Sequence, residues 1–202
     1  EESLAHRYCT ECIVTGHDVD RRHLREELAV LGSSLVVAGL HDKVRVHVHV
    51  NDPAEVFRIA TRYGTVSAEK ADDMQRQQHS AHLTGRQVAV VTDSAADIPD
   101  DEMDRLGIHM VPVRLHFGAH SYLDKVGITS EEFYAELQRN PEHPKTSQPP
   151  PGDFRRQFEF LASHYPSVLS LNLSRQVSGT CGAAETAARK NEERPTTQAW
   201  AD

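Results

Sequence analysis

The stretch Val168-Leu-Ser-Leu-Asn-Leu173, followed by Ser174-Arg-Gln-Val-Ser178-Gly179-Thr180, decides how the second half of this chain folds. The apolar run from Val168 to Leu173 reads as a buried strand. Ser178, Gly179 and Thr180 then open a small-residue helix that continues through Ala183, Ala184, Ala187 and Ala188. A strand that ends in a hydroxyl-rich loop at a helix N-terminus is suited to hold an anion, because free amides and hydroxyls converge at the carboxyl edge of the sheet.

Upstream, Val88-Ala-Val-Val-Thr92-Asp93-Ser94 is a second buried strand that runs into a polar turn. Asp100, Asp101 and Glu102 open a short helix that ends at Gly107. Ile108 to Phe117 reads as a further strand, with Pro112 demanding an edge or a bulge. Thr129-Ser-Glu-Glu132 is a capping box for a helix to Arg139. Asn140 to Gly152 carries five prolines and reads as a loop. The helix after it, Asp153 to Tyr165, sets Phe154, Phe158 and Leu161 on one face. Strands alternating with helices predict a doubly wound, parallel α/β sheet. Ligands bind such sheets at the carboxyl ends of the strands. Three polar loops should meet there: Thr92-Asp93-Ser94, Thr146-Ser147-Gln148-Pro149, and Ser174 to Thr180.

The first half has a different rhythm. His6 to Val14 reads as a strand. Asp20 N-caps a helix from Arg21 to Leu31, and Ser33 to Leu40 is β-rich. In Lys43-Val-Arg-Val-His-Val-His-Val50 every second residue is valine, with Lys43, Arg45, His47 and His49 on the other face. Asn51-Asp52-Pro53 starts a helix that runs to about Tyr63, and Thr65 to Lys70 is a last short strand. The order β-α-β-β-α-β predicts a ferredoxin-like α+β domain with the first and third strands adjacent. The valines must lie under the helices, which leaves His47 and His49 on the open face. Cys9 and Cys12 are three apart and point to opposite faces of their strand. With Cys12 inside, Cys9 joins the two histidines. Thiolate and imidazole suit zinc, and three ligands leave one position open. A buried cysteine beside two histidines on a polar strand face is the competing reading. The polar run Gln75 to Gln87 reads as a linker, giving domains at 1–76 and 87–202 joined by 77–86.

The 202 residues carry a net charge of −8, which argues against a nucleic-acid or membrane-surface protein. No run approaches the ~18 apolar residues of a membrane helix, so no stable membrane insertion is expected. Three cysteines fit a reducing cytoplasm better than a disulfide scaffold. Glu1-Glu2-Ser3 is no signal peptide and lacks an initiator Met, so the chain is expected to start inside a longer product.

Two family resemblances follow from the motifs. Tyr8-Cys9-Thr10-Glu11, Gly32-Ser33-Ser34-Leu35, His47-Val48-His49, Asp52-Pro53, Tyr63-Gly64 and Asp73-Met74-x-x-Gln77 resemble the middle domain of bacterial fatty acid kinase, which follows a DhaL-type (DAK2) ATP-binding domain. That resemblance implies zinc held by Cys9, His47 and His49. Thr92 to Pro99, Val111-Pro112-Val113, Tyr122-x-Asp124, Thr146-Ser147-Gln148-Pro149 and Ser178-Gly179-Thr180 resemble the DegV family in order and spacing. DegV proteins hold one fatty acid between two lobes and act as carriers for the kinase, in phospholipid metabolism. The resemblance implies carboxylate binding by Thr146 and Ser178, with Gly179 and Thr180 as supports. Asp93, Ser94, Ser147 and Arg175 stand beside them as candidate supporting residues.

The family's third partner, a histidine of the second lobe, has no counterpart in this chain, which ends about halfway through a family-sized unit. Thr196 to Asp202 reads as the start of another strand, so the lobe is expected to be truncated. Arg175 stands where serine is usual and Cys181 where an aromatic is common.

The expected function is fatty-acid binding and presentation of the carboxylate to a DhaL-type kinase domain elsewhere, in cis or in trans. The piece has no Walker-type loop and no Asp cluster for Mg²⁺, so no phosphorylation by this chain alone is expected. The alternatives are a non-catalytic adaptor with a structural zinc site, and a serine hydrolase acting through Ser178. The hydrolase lacks the Gly-x-Ser-x-Gly elbow. A homodimer is the assembly left open.

Overall fold

The computed structural model describes residues 4–82 and 86–191. The chain folds as two compact units, whose main bodies are Glu1–Gln77 and Gln78 onward.

The first unit is one antiparallel sheet with two helices on one face. Its elements are β1 (Tyr8–Thr15), α1 (Arg21–Ala29), β2 (Gly32–Gly39), β3 (Lys43–Val50), α2 (Pro53–Thr61) and β4 (Thr65–Asp73). The strand order is β2-β3-β1-β4, so β1 and β3 are the central pair, as the βαββαβ pattern requires. Asp20 caps α1 by accepting the amides of Arg22 and His23, and Asp52 caps α2 at Ala54 and Glu55. Val44, Val46, Val48 and Val50 are fully buried with Cys12, Val14, Leu24, Leu28, Val56 and Ile59. Period-two alternation therefore placed every inward residue of β3 correctly. Cys12 sits where the β1–β4 register slips between Glu11 and Ile13, a bulge that leaves its side chain in the core.

The run read as a linker is a helix over its first part: α3 spans Met74–His82. Its start is held by Asp73, which accepts the Arg76 amide at 3.0 Å and pairs with Arg7. Apolar periodicity is a poor guide to a helix nucleated by a side-chain cap and anchored in this way.

The second unit contains β5 (Val88–Asp93), α4 (Asp100–Leu106), β6 (Ile108–Val111), β7 (Arg114–Phe117), β8 (His120–Leu123), α5 (Ser130–Arg139), β9 (Lys145–Ser147), α6 (Pro151–Ala162), β10 (Ser167–Leu171) and α7 (Thr180–Asn191). A parallel sheet runs in the order β10-β5-β6, and a separate antiparallel sheet in the order β8-β7-β9.

Three expectations change here. Ile108 to Phe117 is not one strand: it breaks at Pro112, with β6 in the parallel sheet and β7 in the other. Proline has no amide for a ladder, so the chain changes sheets where it sits. The proline-rich loop contains the short strand β9, paired with β7. The final helix begins at Thr180, two residues after the expected start, and Ser174 to Gly179 form the turn before it. The predicted strand at Thr196 to Asp202 lies outside the described residues.

The core of this unit joins Ala89, Val91, Val111 and Val168 of the parallel sheet to Phe154, Phe158 and Leu161 of α6 and to Ala183, Ala184, Ala187 and Ala188 of α7. Small residues on α7 let it approach α6 closely, which is why an alanine-rich helix of low hydrophobicity is still well packed.

Candidate functional sites

In the parallel sheet β5 is flanked by the strand that follows it and by the strand that comes last. The chain winds one way to β6 and the other way to β10. The loops after β5 and β10 therefore diverge and leave a crevice at the carboxyl ends, the place where open α/β sheets bind ligands.

Asp93 joins these two loops. It is 1% exposed and accepts three hydrogen bonds: from the Ala95 amide at 3.1 Å, the Leu173 amide at 3.1 Å and Asn172 Nδ2 at 3.2 Å. Next to it, buried Ser94 accepts the Val113 amide at 3.0 Å and fixes the passage from β6 to β7. Thus Asp93 and Ser94, named from sequence beside the site, are structural ties with their acceptor atoms already engaged.

The third loop reaches the same edge through Gln148. A Cβ on Gly179 would fall on the Gln148 side-chain oxygen, so Gln148 lies directly over that glycine. In the turn, Ser178 Oγ is 2.9 Å from Thr180 Oγ1 and accepts the Thr180 amide at 3.2 Å. Thr180 is buried and Ser178 half-buried, so of the two hydroxyls Ser178 is the more accessible. Thr146 is exposed on β9, opposite Leu115 of β7. Ser147 is on the other face of that strand, and its hydroxyl lies 2.8 Å from His116 Nε2. Alternation along β9 thus separates two residues that are adjacent in the motif. Arg175 is turned to Glu185 of α7, with 64% of its side chain exposed. A cavity of about 300 Å³ adjoins the turn, lined by Ser170, Asn172, Leu173, Ser174, Arg175, Gln176 and Cys181. Leu171, Leu173 and Val177 are exposed around it. Gln148 was not singled out as a site residue from sequence, although it stands in the quoted motif; only the close approach to Gly179 reveals its position.

In the first unit the predicted ligands come together. One donor atom each from Cys9, His47 and His49 can be chosen so that all lie within 4.8 Å of one another. Antiparallel register produces this: Cys9 faces His49, and Glu11 faces His47. Cys9 Sγ is 3.8 Å from His47 Nδ1, and the two imidazole rings are 5.1 Å apart. Burial first, then the carboxylates of Asp72 and Glu11, push the Cys9 thiol up to about 11. Burial and then the neighbouring His47 and His6 push His49 down, favouring its neutral, ligating form. A soft-donor trio on a half-buried face, with carboxylates nearby, fits a divalent cation. Cys9, Cys12 and Cys181 are free thiols. Among the described residues no helix is long and apolar enough to cross a membrane.

The chain is thus a two-part protein, an antiparallel βαββαβ unit that brings Cys9, His47 and His49 together and a parallel α/β lobe with a crevice at the switch point of its sheet. Residues 87–197 match the model of the DegV family, whose description is an uncharacterised protein family, and the chain belongs to that family. Residues 5–81 match the FakA-like middle domain of fatty acid kinase, so the chain joins that domain to a DegV domain. Among curated proteins, Protein DegV of Bacillus subtilis is 38% identical over 100 residues, covering 50% of this chain and 36% of that protein. Among solved structures, a fatty-acid-binding DegV family protein from Thermus thermophilus is 34% identical, with a TM-score of 0.51 over 57% of this chain and 41% of that one. DegV of Bacillus subtilis, described as a fatty acid binding protein, is 33% identical, with a TM-score of 0.52 over 56% of this chain and 39% of that one. The chain therefore spans about two fifths of the length of these relatives.

Proposed function

We propose that this chain binds a long-chain fatty acid and presents its carboxylate for phosphorylation by a DhaL-type kinase domain outside these 202 residues. The fatty-acid binding described for the Thermus and Bacillus proteins supports the ligand, and the kinase-type middle domain in the same chain supports the partner. The observation that carries the reading is the meeting of three polar loops through Asp93 and Gln148 at the switch point of the sheet.

In this reading Thr146 and Ser178 donate hydroxyls to the carboxylate, and Gly179 and Thr180 hold the turn that presents Ser178. Charge-assisted hydrogen bonds of this kind contribute about 1.5–3 kcal/mol each. They stabilise the anion without a full countercharge, so its oxygens stay available to a phosphoryl donor. Asp93, Ser94 and Ser147 order the loops, and Arg175 with Glu185 borders the cavity. The tail lies against apolar surface, at about 0.8 kcal/mol per buried CH₂. Cys9, His47 and His49 hold zinc as a structural ion that ties β1 to β3. The free thiols support a cytoplasmic location, and the assembly in this reading is a homodimer or a complex with the kinase domain.

Lipid extracted from the purified full-length protein and identified by mass spectrometry tests this. A fatty acid present in wild type and depleted in Ser178→Ala is expected. No co-purifying fatty acid in wild type would leave the adaptor reading, with a structural zinc site, in its place.

A further inference from the structure

In the strand order β2-β3-β1-β4 the sheet of the first unit has β2 and β4 as its edges. An edge strand presents amides and carbonyls that another chain can pair with, and exposed apolar side chains strengthen such pairing. β4 carries Glu69, Lys70, Asp72 and Asp73, and Ala68 has a φ of 53° where the register with β1 shifts. Charge and a bulge discourage strand addition there. β2, Gly32-Ser-Ser-Leu-Val-Val-Ala-Gly39, has neither charge nor proline. Val36 is 51% exposed, and Val30 and Leu40 beside the strand ends are 84% and 69% exposed.

The two halves of β2 differ. Its register with β3 shifts between Ser33 and Val36, and Ser34 has a φ of 55°, so the first half bulges. From Val36 to Gly39 the pairing with β3 is regular. The Leu40 amide donates to the Lys43 carbonyl at 3.0 Å, which sets the phase of the ladder. Ala38 and Arg45 are then a hydrogen-bonded pair, and the carbonyls of Val37 and Gly39 point away from β3. Helix α1 takes both of them. Arg21 Nη1 donates to the Gly39 carbonyl at 2.7 Å, and Arg25 Nη2 donates to the Val37 carbonyl at 3.2 Å. Four residues of helix rise about 6 Å and two residues of strand about 6.6 Å, so arginines four apart match alternate carbonyls.

These are the acceptors that an added strand would need. The edge is also self-complementary: antiparallel pairing of Val37 with Gly39 of a second copy brings Val36 opposite Leu40, both apolar and exposed, with no charge to oppose it. We propose that Arg21 and Arg25 are a strap that closes the regular half of the β2 edge and keeps the first unit from adding β2 of a second copy. Any dimer of this chain then forms through another surface.

Sedimentation of the full-length protein over a range of concentrations tests this for wild type, Arg21→Ala/Arg25→Ala and Arg21→Lys/Arg25→Lys. The alanine variant should self-associate at least about tenfold more tightly than wild type. The lysine variant keeps a charged donor near each carbonyl and should stay close to wild type. Amide hydrogen exchange locates the contact. In wild type Val37 and Gly39 should exchange faster than Ala38, and in the associated alanine variant both should become protected. An unchanged assembly state in the alanine variant overturns the proposal. Association that leaves Val37 and Gly39 unprotected overturns it as well, because the contact then lies elsewhere. If thermal melts show that the double variant fails to fold, Arg21→Ala and Arg25→Ala decide singly: each should associate more tightly than wild type, and no change in either overturns the strap.

Discussion

Asp93 at the end of β5 accepts the backbone amide of Leu173 after β10 at 3.1 Å, although the two are 80 positions apart in sequence. This bond turns two strand ends into one crevice. It also fills an acceptor that would otherwise repel an anionic ligand, since Asn172 and Ala95 donate to the same carboxylate. Removing it should be felt both in stability and in binding. Asp93→Ala leaves three donors without their acceptor, and the second unit should lose about 2–3 kcal/mol in denaturant unfolding. Asp93→Asn, which keeps the shape, should lose less.

Ser178 and Thr146 should separate stability from binding. Ser178 Oγ accepts the Thr180 amide at the helix entrance, so Ser178→Ala should cost about 1 kcal/mol of stability. Thr146 is exposed, so Thr146→Val should leave stability within about 0.5 kcal/mol. Both should weaken fatty-acid affinity by about tenfold or more, the equivalent of one charge-assisted bond, when retained lipid is titrated. Full retention in both variants would refute the proposed clamp.

Two glycines should respond differently to a methyl group. At Gly179 the added carbon meets the end of the Gln148 side chain, which can swing aside. Gly179→Ala should therefore cost under about 1 kcal/mol while displacing Gln148 from the site. At Gly32 the added carbon falls on the backbone carbonyl of His49, which is held in the β2–β3 ladder. Gly32→Ala should cost about 3 kcal/mol or more and reduce zinc occupancy by moving His49, as read by thermal unfolding and elemental analysis.

Zinc removal should act on the first unit alone. A ligand that binds only the folded state at 100 times its dissociation constant adds about 2.7 kcal/mol, so chelator should lower the melting transition of residues 6–77 and spare the second unit. Cys9→Ser should show the chelated behaviour from the start. Equal zinc in Cys9→Ser and wild type would refute the ligand set.

Acid should weaken the first unit through Glu11. Burial acts to raise its carboxyl, but hydrogen bonds from Arg45 and His47 and the charges of Arg45 and Lys70 outweigh it and hold the group below its ordinary value. A carboxyl depressed in the folded state binds fewer protons there than in the unfolded chain. Its contribution is complete above the unfolded value of about 4.3 and is lost as pH falls through the lower folded value. Glu11→Gln should flatten that part of the stability–pH curve; an unchanged acid limb would refute this role.

Much of this was legible in the residue order. Valine alternation in β3 named its buried face, the Asp20 and Asp52 caps marked both helix starts, and the β-α-β-β-α-β order gave the sheet its strand sequence. From that order Cys9, His47 and His49 share one open face, because alternation within each strand is local and the β-α-β-β-α-β order sets the first and third strands side by side. Helix α3 was hidden because an ion-paired cap, rather than an apolar stripe, starts it. The break at Pro112 was visible as a defect, but its consequence was not, because which sheet a strand joins is decided by distant partners. The same holds for the loops at the carboxyl edge of the parallel sheet. Sequence marks Thr146, Ser178 and Asp93 as polar residues at strand ends. Only the tertiary structure decides that Asp93 is spent on Leu173, that Ser147 turns to His116 while Thr146 does not, that Gln148 covers Gly179, and that Arg175 pairs with Glu185. Those outcomes depend on hydrogen bonds closed across tens of residues, which local pattern cannot encode.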